Sequence, residues 1–242
     1  MPSGVIPYFK IKRNKTKNRP LAIFDIDGTI FRSSLLIELN WALIKNNIFP
    51  KKVLPELDNA YFSWMDRKAS YQHYLNKVIE IFDYHIKGVK VKDVERISNS
   101  LLKKQKNRVY RFTRQLIKRL RKTHYLLAIS GSPIEMVKKF AKMKQFDFIL
   151  ATERKIKNGR YTQGRVSNPA VNKKKYLQEF VSAHNLSFKN SVGIGDSEDD
   201  IGIFKLVEYP ICFNPTKKLY RIARRVGWPI YVERKNVIYR IQ

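Results

Sequence analysis

Short apolar runs recur along this chain, each separated from the next by a longer stretch with helical spacing. Residues 21–25 are apolar up to a terminal acid, Asp25, and residues 125–130 are apolar up to a terminal hydroxyl, Ser130. Residues 146–151, 191–195 and 209–213 repeat the pattern. Runs that are apolar at nearly every position, rather than at alternate ones, suit strands buried on both faces of a parallel sheet. Between them, Val109, Phe112, Leu116 and Leu120 line up at helical spacing, and Arg111, Arg114, Lys118 and Arg121 form the opposite stripe. That is an amphipathic helix leading into the strand at 125. Ser132 and Pro133 are expected to open the next helix, because proline in a first turn lacks only an N–H that would go unpaired. The pattern predicts an α/β fold with a doubly wound parallel sheet and right-handed crossovers.

Two segments break the rhythm. Residues 33–107 carry no strand pattern but several helical stretches, among them 35–45 and 71–84. The segment is too long for one crossover helix, and a helical cap domain inserted after the first strand accounts for it. Residues 155–164 contain Asn158-Gly159, a signal for a type I′ turn and thus a small β-hairpin. The expected organisation is a basic arm over 1–19, poorly ordered, a Rossmann-like core from 20–32 and 108–242, and a cap over 33–107.

Charge changes this picture more than composition does. The 242 residues include 49 Lys+Arg against 20 Asp+Glu, a formal net charge of +29. Such a field attracts polyanions, whether phosphorylated substrates, nucleic acid or an anionic membrane surface. Residues 103–122 hold ten basic side chains and no acid, with Tyr110 and Phe112 interleaved, and Lys217, Lys218, Arg221, Arg224 and Arg225 form a second group. Phe112 belongs to the apolar stripe and is expected in the core. The single cysteine, Cys212, excludes an intrachain disulfide and fits a cytoplasmic setting, with peripheral membrane attachment as a variant. No run reaches the roughly 18 apolar residues of a membrane span. His73, His85, His124 and His184 show no metal-ligand spacing.

The chemistry concentrates where strands end. Asp25-Ile26-Asp27-Gly28-Thr29 closes the first strand, and ligands of open α/β sheets bind beyond the carboxyl ends of the strands. Two carboxylates placed there repel each other unless a cation or proton holds them, and Gly28 lets the backbone turn toward a ligand. Ser130-Gly131 ends the second strand, offering a hydroxyl and N–H groups ahead of a helix. Lys173, Lys174 and Lys175 open a later helix, and Asp196 and Asp200 follow the strand at 191. Oxygen-only donors of this kind suit Mg²⁺.

Taken in this order, DxDGT, Ser-Gly, Lys and GDSxxD resemble the haloacid dehalogenase-like (HAD) superfamily over about residues 20–230. Within it the chain is similar to subfamily IB, the branch containing phosphoserine phosphatase. The resemblance implies a magnesium-dependent phosphomonoester hydrolase acting through an aspartyl-phosphate. It assigns Asp25 as nucleophile and Asp27 as general acid/base. Mg²⁺ would be held by Asp25, the main-chain carbonyl of Asp27 and Asp196, with Asp200 in support. Thr29, Ser130, Gly131 and Lys173 would hold the phosphate, with Lys174 as the alternative lysine. Hydrolysis and transfer to another acceptor remain equally compatible.

The resemblance also implies how serine would be read: by an acid soon after the first motif and by a cap arginine. Here Glu38 is displaced by about a turn, and Val78 stands at the arginine position with Lys77 beside it. The expected substrate is therefore a small phosphorylated metabolite or lipid head group other than phosphoserine. Phosphoserine hydrolysis and polyanion binding on the same scaffold are the alternatives. Trp64 is a candidate to line the substrate pocket.

Overall fold

The computed structural model describes residues 9–10 and 19–241. Its centre is a sheet containing β1 (Phe9–Lys10), β2 (Leu21–Asp25), β3 (Tyr125–Pro133), β4 (Phe148–Lys157), β5 (Arg160–Ser167), β6 (Val192–Gly195), β7 (Tyr209–Phe213), β8 (Ile230–Arg234) and β9 (Val237–Ile241). The order is β1-β4-β3-β2-β6-β7-β8-β9, with β5 paired to β4. From β4 through β3, β2, β6 and β7 to β8 every pairing is parallel. The expected arm over 1–19 lies outside the described residues except for Arg19 and Phe9–Lys10, which pair antiparallel with Phe148 and Ile149.

Strand β2 is buried at all five positions, and its alternating side chains serve two different layers. Ala22 and Phe24 join one apolar cluster, and Leu21 and Ile23 join another on the opposite face. The first cluster packs under α5 (Arg111–Leu120) and α6 (Ile134–Lys144), and the second under α7 (Lys173–Ala183) and α8 (Ile201–Phe204). Helix α9 (Lys217–Val226) closes a smaller third cluster with Cys212 and Ile230. This is the doubly wound, Rossmann-like arrangement that the apolar runs predict. Helix α6 starts one residue later than the Ser132-Pro133 pair predicts. Strand β3 stays extended through Pro133, whose ψ of 139° caps the helix from outside it.

Between β2 and β3 the chain forms α1 (Leu35–Lys45), α2 (Leu54–Met65), α3 (Tyr71–His85) and α4 (Val91–Gln105) before α5. The four helices share a continuous core with the sheet: Leu39, Tyr74, Val78 and Val94 belong to the same cluster as Phe24 and Phe140. Asn40, fully buried in α1, donates from Nδ2 to the Val78 carbonyl at 2.9 Å, so α1 and α3 are joined by a polar contact sealed from water.

The hairpin of β4 and β5 turns at Asn158 and Gly159, both with positive φ (51° and 70°), as a type I′ turn requires. It grips the insert at the corner between α3 and α4. Gly88 N donates to the Tyr161 carbonyl (2.8 Å), Tyr161 N to Val89 (3.0 Å) and Val91 N to Gly159 (3.0 Å). Arg154 and Arg165 of the hairpin both pair with Asp83 of α3. Among the described residues no helix is long and apolar enough to cross a membrane.

Candidate active site

Parallel strands β2 and β6 are neighbours, so the loops that follow them emerge side by side at the carboxyl edge of the sheet. Asp25 is the last residue of β2, and Asp196 follows the last residue of β6. After Asp196 the chain makes a tight turn in which Ser197 caps a 3-10 turn over Glu198–Asp200, folding Asp200 back. Carboxylate oxygens of Asp25, Asp196 and Asp200 consequently lie within 4.8 Å of one another, the single metal-capable group of this kind among the described residues.

One cation faces the three acids. The Lys173 ammonium, at the first position of α7, donates to Asp25 Oδ1 at 2.6 Å and to Asp200 Oδ1 at 2.7 Å, and its side chain is 6% exposed. Lys174, the alternative, is exposed on the next helical position. Three carboxylates against one ammonium leave an excess of negative charge in a buried place. Burial raises the Asp25 carboxyl to about 7; Lys173 opposes the rise, and Asp200 and Asp27 add to it. Asp196 is raised well above the usual carboxylate range, first by burial and then by Asp25 and Asp200. The Lys173 ammonium is raised in spite of its burial, because Asp200 and Asp25 hold its proton. An oxygen-only, over-anionic cluster of this kind fits a small divalent cation such as Mg²⁺.

Each acid is positioned differently. Asp200 is saturated: besides Lys173, its Oδ2 accepts from the N–H groups of Asp196 (3.0 Å) and Ser197 (3.1 Å). Its carboxylate therefore fixes the turn that presents Asp196. Asp196 Oδ1 accepts from the Thr29 hydroxyl at 2.8 Å. Thr29, expected from the resemblance to hold phosphate, instead has its side chain committed to this carboxylate, with no exposed surface. Gly28 passes close by with φ +82°, and a Cβ there would meet Asp196 Oδ2 at 2.4 Å, so the site needs glycine twice over.

Asp27 points elsewhere. Its Oδ1 accepts from Leu35 N at 2.5 Å, and its Oδ2 accepts from the hydroxyls of Ser130 (2.5 Å) and Ser132 (2.9 Å). Ser130, expected to face phosphate, thus holds Asp27 in this state. Gly131 lies between them, its carbonyl accepting from Thr152 Oγ1 at 2.7 Å. Ser132 escapes the sequence reading because Pro133 suggests a helix start. Had the strand been extended to Pro133, its period of two would have put Ser130 and Ser132 on one face.

Tyr71 also escapes that reading. Asp27, Asp196 and Asp25 all act electrostatically on its phenol, and together with burial, the largest cause, they raise it. Its ring lies 5.2 Å from that of Trp64. The interleaved aromatics of the basic segment are not free for stacking on a ligand: Phe112 stacks on Phe213 (5.1 Å) and Tyr231 (4.8 Å), and Tyr110 meets Phe213 edge-on at 5.0 Å. Cys212 is buried, and desolvation pushes its thiol up to about 12.

The model of the haloacid dehalogenase-like hydrolases matches residues 22–205, a span that includes both acidic loops and Lys173. This chain belongs to that family. Among curated HAD relatives, phosphoserine phosphatase SerB2 of Mycobacterium tuberculosis is 30% identical over 98 residues, 39% of this chain and 24% of that protein. The match thus spans about a quarter of that relative's length. Among solved structures, a Bordetella pertussis Tohama I protein of unknown function superposes with a TM-score of 0.69 at 15% identity, covering 88% of this chain and 98% of that one. A phospho-aspartyl intermediate analogue of phosphoserine phosphatase gives 0.59 at 19% identity, covering 91% and 96%. At these identities the structural likeness speaks for the HAD fold.

Proposed function

We propose that this hydrolase is a Mg²⁺-dependent phosphomonoesterase whose nucleophile is Asp25. The observation that carries the reading is the convergence of Asp25, Asp196 and Asp200 on one point beside Lys173. In the first step an Asp25 carboxylate oxygen attacks phosphorus, the ester oxygen leaves, and an aspartyl-phosphate forms. Asp27 is the group that gives the leaving oxygen its proton and later takes one from the attacking water. Ser130 and Ser132 orient it, and the Gly131 backbone and Lys173 are the groups assigned to phosphate oxygens. Asp25, Asp196 and the Asp27 carbonyl would hold Mg²⁺, with Asp200 fixing Asp196. The bound ion supplies charge neutralisation where an anionic phosphoryl group meets a carboxylate.

The helices over 33–107 act in this reading as the cap that covers the site and excludes water during the phosphoryl step. Their side chains argue against serine as the leaving group, although relatives carry the name phosphoserine phosphatase. Glu38 is occupied: it accepts from Arg108 (2.6 Å), Gln105 (2.7 Å) and the Ser33 hydroxyl (2.9 Å). Val78 is fully buried, and Lys77 is turned to Glu56 and Glu80. Neither the amine nor the carboxylate of serine has its expected partner. A panel of phosphomonoesters assayed with Mg²⁺, beside Asp25→Asn, tests both parts. Turnover that survives in the variant removes Asp25 from its role. Phosphoserine turned over faster than every other ester removes the substrate argument alone.

A further inference from the structure

The parallel strands give the molecule two unlike edges. Asp25, Asp27, Asp196 and Asp200 gather at the carboxyl edge, on or just after strand ends. Helices α5, α6 and α9 each lead into a strand of the parallel set, so their last turns lie at the opposite, amino edge. Lys118, Arg119 and Lys122 stand there at the end of α5, Lys142 on α6, and Arg224 and Arg225 on α9, all of them exposed. Cations in a last turn stabilise helix carbonyls. That accounts for Arg121, which donates to the Lys144 carbonyl at 3.2 Å, and for Arg19, which donates to that of Lys122. The exposed cations have no such use and form no ion pair among the described residues. The acids at this edge are Asp147, buried and accepting from Leu126 N at 2.8 Å, and Glu208, which accepts from Asn190 N at 2.6 Å.

Apolar groups are interspersed with these cations. Met143 on α6, Tyr209 at the start of β7 and Val226 at the end of α9 are 41%, 51% and 52% exposed, and all three lie at the amino edge. A cleft of about 350 Å³ opens between the end of α9 and the start of β8, with Arg224, Trp228, Arg240 and Ile241 in its lining. An indole and two arginines on one cleft suit the headgroup level of a bilayer, where amphipathic rings collect and guanidinium groups meet lipid phosphates. From the start of β4 to the start of β8 the basic edge spans five strand spacings, about 24 Å. That width calls for an extended anionic surface, not one small anion. Nucleic acid would answer the charge alone, since Met143 and Val226 gain nothing from its phosphates, whereas both gain from the interfacial layer of a membrane.

We infer that the amino edge is a docking face for an anionic lipid bilayer, which leaves the carboxyl edge and its acids turned to the water phase. The substrate then arrives from solution, a consequence that rests on the phosphatase reading of Asp25 given above. The test sediments the full chain with vesicles of phosphatidylcholine alone, or of phosphatidylcholine and phosphatidylglycerol in equal parts. Partition to the anionic vesicles only is expected, falling about tenfold or more on going from low to about 0.5 M salt. Arg119→Glu with Lys122→Glu, and separately Arg224→Glu with Arg225→Glu, should each weaken it about tenfold or more while Tm stays near wild type. Lys87→Glu with Lys92→Glu makes the same charge change at the exposed α3–α4 corner, remote from this edge, and should leave partition unchanged. An equal loss there would reduce the effect to net charge and overturn the assigned face. Met143→Ser with Val226→Ser should weaken partition about threefold or more at constant charge; an unaltered value removes the preference for lipid. Retention of duplex DNA without binding to anionic vesicles, or vesicle binding untouched in both edge variants, overturns the inference. Turnover of phenyl phosphate with Mg²⁺ should be the same with and without bound vesicles, and its loss on binding would overturn the orientation. Vesicle binding with no turnover at all would sink the phosphatase reading and keep the docking face. Turnover without vesicle binding would sink the face alone.

Discussion

Removing the carboxylate of Asp25, the proposed nucleophile, should make the metal-free protein more stable. Asp25 is 5% exposed and sits with two further carboxylates against a single ammonium, and its carboxyl is raised from the ordinary 3.8 to about 7. A group whose proton is held more tightly in the folded state contributes stability that is fully present below the unfolded value and disappears as pH rises through the folded one. For Asp25 the window runs from about pH 4 to about pH 7, and above it the ionised acid is a liability. The displacement sets a ceiling of about 4 kcal/mol at pH 8. Asn keeps the shape and drops the charge, while Lys173 keeps its bond to Asp200. Asp25→Asn in excess chelator should therefore gain about 2–4 kcal/mol at pH 8, or roughly 5–15 °C in Tm for a chain of this size. At pH 4 the gain should nearly vanish. Urea unfolding of both proteins at the two pH values measures it. Equal stability at pH 8, or a gain as large at pH 4 as at pH 8, would refute the claim that the site stores electrostatic repulsion for a cation to relieve.

Three further outcomes follow from the same geometry. Mg²⁺ affinity should rise with pH through about 7, because the ion displaces a proton from the raised carboxyls; calorimetry in two buffers of different ionisation heat would count the released protons, and none released would contradict it. Lys173→Met strands two buried carboxylates and should cost about 3–5 kcal/mol in metal-free protein, a loss that urea titration reads; a stability within error of wild type would mean the ammonium is not what holds Asp25 and Asp200 together. Gly28→Ala drives a methyl into Asp196 and should lower Mg²⁺ affinity at least tenfold with a modest effect on folding, so unchanged affinity by calorimetry would show that the loop yields instead.

Much of this site is legible in the chain because its donors sit at strand ends, where residue type and position coincide. Asp25, Asp27 and Asp196 are three such cases; Lys173 opens α7 instead, and it is the structure that buries Lys173 while leaving Lys174 exposed. Thr29 and Ser130 show the limit. A hydroxyl near phosphate-binding residues reads as a phosphate ligand, and only three dimensions reveal that a neighbouring carboxylate takes its proton first. Tyr71 has no one-dimensional signature, since an aromatic at a helix start looks the same whether it faces the core or a cleft. The hairpin of β8 and β9 is missed for another reason. Its turn uses Lys235 at φ 54° with Asn236, without the glycine that marks the β4–β5 turn. Its strands are half solvated, so apolar continuity, the signal that finds the central strands, is missing.

The grip of the β4–β5 hairpin on the α3–α4 corner gives the proposed cap a fixed side. Three main-chain bonds and the paired arginines on Asp83 would have to break before that corner could lift, whereas Tyr71 and the end of α2 lie at the far end of α3 with no such fastening among the described residues. The helices would then swing as a door hung on the hairpin, not as a lid raised evenly. The end that carries Trp64 and Tyr71 would be the free edge of that door.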